Sequence, residues 1–309
     1  MLRPVIMIGC GGSGQKAVRY VRDNVRRRLE HSGWEGGVPQ SWRFIGLDTL
    51  NIQESPGEIP TLPAEDYESI SLRFETYQAL TDYLLAQHKP DDPSSGYHEL
   101  VGWRPNPADV FVPLLSGAGQ MRAVGRIAGV MALDTVVREK VIEAFSDCDA
   151  GGPELQQVSK HLGIPVPPGT PVPDPMVVVL GSMAGGTGAG ILLDVIDLIR
   201  RTDLRGAFPI AVIFTPDIFN AEANEAMAAN GLAMMSELMS AYWDTELSHD
   251  QLIPAQVRLD NRGPHSTFLI GRKNLRGIDL EDQRLDVSRD SSVPVKNNGR
   301  FSRSFLEEQ

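Results

Sequence analysis

The stretch Gly181-Ser182-Met183-Ala184-Gly185-Gly186-Thr187-Gly188-Ala189-Gly190 places five glycines and a threonine within ten residues. Glycine has no Cβ, so its backbone can approach a ligand closely and adopt positive φ. Where a helix starts inside such a run, its free N–H groups and partial positive charge face whatever sits there. The chemistry this favours is capture of an anion, phosphate above all. A tight turn without a ligand is the plainer alternative, but each glycine in it would cost backbone entropy without a compensating contact.

Two other segments repeat the theme: Gly9-Cys10-Gly11-Gly12-Ser13-Gly14 and Ser116-Gly117-Ala118-Gly119-Gln120-Met121-Arg122. Arg122 and Arg126, four residues apart, share a helix face, in reach of a phosphate or of an acidic neighbour. Asp48 falls just past an apolar run, either at a sheet edge where ligands sit or as a turn or helix cap. The six histidines are scattered without partners that suggest catalysis, and Met227, Met234, Met235 and Met239 read as adaptable core packing.

The elements that must position these segments follow from apolar spacing. Strands are expected at 5–8, 42–47, 110–114, 176–180, 208–214 and 266–271, and helices at 15–29, 72–87, 123–145, 191–201 and 221–243. Three of those strands run into a glycine segment and then a helix. Residues 30–41, 53–64 and 88–106 read as loops, and 147–175, with seven prolines, as a stiff connector. Alternation of strand and helix implies an α/β fold, with a mostly parallel, Rossmann-like sheet and helices on both faces. Residues 1–271 are expected to form the α/β domain and 272–309 a polar, poorly ordered tail.

Composition narrows the classes. The 309 residues are 41% hydrophobic and 22% charged, near the average for a soluble globular protein. A net charge of −11 argues against a nucleic-acid partner, and the cluster Arg19, Arg22, Arg26, Arg27 and Arg28 reads as a solvated or partner-facing helix face. No run approaches the roughly 20 apolar residues of a membrane span. A strand starts within a few residues of Met1, leaving no room for a secretory signal. Cys10 and Cys148 make no disulfide framework, and no Cys/His cluster has metal-ligand spacing, so a reduced, cytoplasmic protein is expected.

The arrangement resembles the tubulin/FtsZ superfamily, specifically its divergent bacterial tubulin-like members. Ala184-Gly185-Gly186-Thr187-Gly188-Ala189-Gly190 is similar to the family's phosphate signature Gly-Gly-Gly-Thr-Gly-Ser/Thr-Gly. Residues 8–14 resemble its first loop, 44–49 its second strand running into the second loop, 117–126 its third loop, and 215–220 its sugar-contacting fifth loop. The resemblance implies a tubulin/FtsZ-type GTPase domain that binds GTP or GDP with Mg2+ and self-associates head to tail. It implies a site made by Gly11, Gly12, Ser13, Gly14, Gln15, Asp48, Gly117, Ala118, Gly119, Arg126, Ala184, Gly185, Gly186, Thr187, Gly188, Pro216 and Asn220.

Lys16 stands where the family has a base-contacting asparagine, and Leu50 where an acidic residue often helps to hold magnesium. The family's central helix and catalytic acidic loop, expected after Gly271, are not evident, and no catalytic residue is assigned. Two alternatives stay open: a non-catalytic filament or scaffold subunit, and a Rossmann-type NAD-binding oxidoreductase that uses the first loop.

Overall fold

The computed structural model describes residues 1–53, 59–72, 74–87, 96–111, 113–202, 204–219, 225–243 and 263–272. Strand β1 (Val5–Cys10) runs directly into helix α1 (Gly11–His31), followed by β2 (Trp42–Asp48) and the short β3 (Tyr67–Ser69). Helices α2 (Tyr77–Gln87) and α3 (Gly96–Trp103) precede α4 (Arg122–Ala132). A π turn at Leu133–Val137 joins α4 to α5 (Arg138–Ala150), which leads into α6 (Gly152–His161). The chain then forms β4 (Met176–Ser182), α7 (Gly186–Arg201), β5 (Ile210–Phe214), α8 (Glu225–Trp243) and β6 (Ser266–Ile270).

The six strands form one sheet in the order β3-β2-β1-β4-β5-β6, with every neighbouring pair parallel. Register aligns Ile8 with Ile45 on one side and Val179 on the other. A parallel strand covered on both faces needs a continuous apolar run, which residues 177–180 supply, all four of them buried. The largest core cluster packs β1, β4 and β5 against α7, α5 and α8. Strand order reverses between β1 and β4, and such a reversal opens a crevice beyond the carboxyl ends of the strands.

Several elements differ from the sequence expectation. The glycines at 11–14 are the first turn of α1, and those at 186–190 the start of α7, so neither segment is a free loop. The described residues of the expected strand 110–114 are not in a strand: a 3-10 turn at Pro107–Asp109 precedes them, Leu114 begins another (Leu114–Ser116), and Pro113 offers no N–H to a ladder. The third glycine segment therefore follows a 3-10 turn and not a strand.

Helix α3 lies inside the expected loop 88–106, where the prolines flank the helix and leave its interior intact. Helix α6 lies inside the expected connector because Pro153 sits in its first turn, where a missing N–H costs little, while Leu155 and Val158 are buried. β3 is too short for any periodicity to reveal it. The expected tail falls, but for Arg272, outside the described residues.

Helix α1 seats closely on the sheet at Gly14. A Cβ there would overlap the Leu180 carbonyl oxygen and press on Gly9. Gly14→Ala is therefore expected to destabilise the fold by roughly 1–3 kcal/mol, read as a lower urea midpoint of unfolding.

Candidate functional site

A cleft of about 320 Å³ lies over the carboxyl ends of β1, β2 and β4. Its walls are Cys10 to Ser13 at the start of α1, Asp48 at the end of β2 with Leu50 just beyond, Ser116 to Gln120, Ser182 at the end of β4, and Ala184 to Gly188 leading into α7. Phe219 and Met227 close its apolar end. The three glycine segments, drawn from residues 9–14, 116–122 and 181–190, thus converge on one space.

Both long helices that start there are open to an anion. Neither α1 nor α7 has a side-chain cap or an acidic residue in its first turn. The first N–H groups of a helix lack intrahelical partners, so two positive helix ends face the cleft. One of these donors is used internally: Gly186 N–H donates to Gly119 O at 2.8 Å, which ties the start of α7 to the third segment. Gly11 (φ 71°) and Gly117 (φ 101°) hold left-handed backbone that a side chain would strain.

Thr49 knots the walls together. Its buried hydroxyl accepts from Ala118 N–H at 3.0 Å and lies 2.9 Å from the Thr187 hydroxyl, linking the end of β2 to both other segments. Beside it, Asp48 accepts from Gln15 Nε2 at 3.0 Å through Oδ2 and from Thr49 N–H at 2.7 Å through Oδ1. Asp48 is the one charged side chain on the cleft wall among the described residues. Cys10, fully buried, is inert: burial first, then the charges of Asp48 and Asp194, push its thiol well above the ordinary range.

The sequence profile of the tubulin-like family matches residues 6–289 of this chain. The chain belongs to the tubulin-like family. Solved structures similar to it include CetZ1 from Haloferax volcanii as a GDP-bound monomer, at 11% identity and TM-score 0.41, covering 93% of this chain and 57% of that one. Another is TubZ from Bacillus thuringiensis serovar israelensis in a GTPγS-form protofilament, at 14% identity and TM-score 0.36, covering 96% and 52%. The chain therefore spans little more than half the length of either. None of the curated protein sequences matches it.

In this tubulin-like protein the cleft gathers Gly11, Gly12, Ser13, Asp48, Gly117, Ala118, Gly119, Ala184, Gly185, Gly186, Thr187 and Gly188 of the residues singled out from sequence. Four others do not line it. Gly14 faces the sheet, and Gln15 lies behind Asp48 as its hydrogen-bond donor. Pro216 heads a 3-10 turn and lies against Gly231 of α8.

Arg126, of which 1% is exposed, is held in ion pairs with Asp194 at 3.1 Å and Glu237 at 2.9 Å, with the Trp103 ring 6.0 Å away. Burial works against its charge, but Asp194, Glu237 and Asp197 raise its pKa above the ordinary value. Arg122 pairs with Glu237 as well. Asn220 lies outside the described residues.

Phe219 belongs to the 215–220 segment that resembles the family's fifth loop, whereas Met227 was not legible as a wall residue, because helical spacing on α8 shows only that it is apolar. Among the described residues no helix is long and apolar enough to cross a membrane, and no group of acidic, His and Cys side chains could hold a metal ion unaided.

The Thr49 knot predicts a specific lesion. Thr49→Val keeps the shape but leaves the Ala118 N–H and the Thr187 hydroxyl without this partner, a cost of roughly 1–3 kcal/mol. A lower melting temperature, with faster hydrogen exchange at the Ala118 amide, is the expected result.

Proposed function

We propose that the cleft binds a guanine nucleotide, GTP or GDP, together with Mg2+, and that residues 1–271 are the domain that does so. The observation that carries the reading is the pair of uncapped helix starts, α1 and α7, facing one cleft together with the segment Gly117-Ala118-Gly119. Backbone donors and helix ends are suited to a chain of phosphates, whose charge is spread over many oxygens. The choice of guanine rests on membership of the tubulin-like family.

Asp48 supports a requirement for the metal. A carboxylate on the wall of a polyphosphate site repels its guest unless a divalent cation lies between them. Magnesium supplies bridging and neutralisation of phosphate oxygens. The carboxylate of Asp48 is oriented for such a role by Gln15 and by the Thr49 N–H.

Hydrolysis needs a positioned water as well as bound nucleotide. Among the described residues the wall presents no second carboxylate, and turnover in this reading depends on acidic residues from another subunit, brought by head-to-tail self-association, or from a segment outside the described residues. A nicotinamide oxidoreductase leaves two of the three glycine segments unexplained. A non-catalytic filament or scaffold subunit that keeps the fold without turnover is separated from this reading by assembly that does not depend on nucleotide.

Gly185 offers the cleanest test. Its backbone (φ −82°) suits any residue, and a Cβ placed there meets nothing within 4 Å. Gly185→Leu should therefore preserve the melting temperature while filling the cleft. Calorimetric titration with GTP, GDP and ATP in magnesium is expected to show guanine preference in the wild type and at least about tenfold weaker binding in the variant, or about 1.4 kcal/mol. Wild-type protein that binds none of the three refutes the reading.

Assembly is tested separately. Sedimentation of the full chain with GTP, compared with GDP, is expected to pellet more protein with GTP. Equal sedimentation in both refutes nucleotide-linked self-association.

A further inference from the structure

We infer that Asn230 is a positioning residue that sets the separation of the two glycine segments facing each other across the cleft; this rests on the nucleotide reading above. Asn230 lies on α8, outside all three glycine segments, and is 9% exposed. Its Nδ2 donates to Gln120 O at 2.8 Å and to Ala184 O at 3.1 Å. Gln120 ends the segment that begins at Gly117, and Ala184 opens the one that leads into α7. Both partners are carbonyl oxygens, so only the NH2 end of the amide can face them, and its two hydrogens are both used. One rigid planar group thereby fixes two backbone positions from unrelated parts of the chain.

The helix that carries Asn230 is itself anchored on the same surroundings. Gly231 brings α8 against the 216–218 turn, where a Cβ would lie 2.8 Å from Pro216 Cγ. Two turns further on, Glu237 is ion-paired with Arg122 and, at 2.9 Å, with Arg126, both on α4 directly after the 117–121 segment. Met227, one turn before Asn230, reaches the cleft wall. The amide is thus held by an element that touches the third glycine segment, the start of α7 and the apolar end of the cleft.

The two segments also meet through Gly186 N–H and Gly119 O at 2.8 Å. That bond, the Arg122 Nε–H bond to Ala189 O at 3.0 Å and the Thr49 hydroxyl tie the segments together near the heads of α4 and α7; the Asn230 amide adds two further bonds, made from α8, at Gln120 and Ala184. Backbone donors bind a phosphate chain well only when their spacing is fixed in advance. Base and sugar do not depend on that spacing in the same way, so loss of the amide should weaken binding in proportion to the number of phosphates.

The test compares GTP and GMP binding to the full chain by equilibrium dialysis in magnesium. Asn230→Ala is expected to weaken GTP binding about tenfold and GMP binding less than about threefold, with the fold intact by circular dichroism. A folded variant that loses both equally, or neither, overturns the inference, because a merely structural lesion does not discriminate by phosphate number. If the alanine variant fails to fold, Asn230→Ser, which keeps a donor and leaves room for a water, is measured in the same way. A fall in its GTP preference over GMP supports the role, and an unchanged preference overturns it. Wild-type protein that binds neither nucleotide refutes the nucleotide reading and this inference with it, whereas wild-type binding with unchanged variant preference refutes this inference alone.

Discussion

Contact between two helix starts is the constraint from which the rest of the site follows. The first residue of α1 and the third of α7 touch: a Cβ on Gly11 would lie 2.6 Å from Gly188 N, and one on Gly188 would lie 2.8 Å from Cys10 O. Only residues without side chains allow two helices to begin this close together. Their positive ends then add at one place, which is unfavourable unless an anion offsets it. The adjacent parallel strands β1 and β4 deliver the two helices to that point in matched register, with Cys10 opposite Gly181.

The same device brings in the third segment. Helix α4 crosses α7 through glycines: a Cβ on Gly125 would lie 2.5 Å from Gly186 O, one on Gly190 would lie 2.7 Å from Arg126 N, and one on Gly129 would overlap Ile191. Close crossing pulls the turn before α4 against the start of α7, so that Gly117 to Gly119 reach the cleft. Gly125 resembles part of a phosphate loop in the sequence, yet its position serves helix packing.

A buried charge network sets α8 into this arrangement. Arg126, Asp194 and Glu237 join α4, α7 and α8 in a region nearly closed to water. Such networks add little stability over apolar packing, but removing one member leaves a buried charge uncompensated and costs about 3–5 kcal/mol. Their directional bonds fix one geometry where the apolar side chains around them would tolerate several. The consequence is that α8, although it donates no backbone to the cleft, is held in a fixed relation to two of its walls.

The amino-acid sequence by itself determined the alternation of strand and helix, the parallel sheet and the three glycine segments, because each is written in local spacing and composition. It also raised the expectation of an anion site, since glycine at a helix start leaves backbone N–H groups free and approachable. Tertiary structure alone decided the fate of Arg126, whose partners Asp194 and Glu237 lie 68 and 111 residues away. It alone decided that Thr49 joins three walls, that Asn230 bridges Gln120 and Ala184, and that Met227 lines a cleft. A hydroxyl, an amide or a thioether has the same local signature whether it faces solvent, core or ligand. Its role is set by groups that only the folded chain brings within hydrogen-bonding distance.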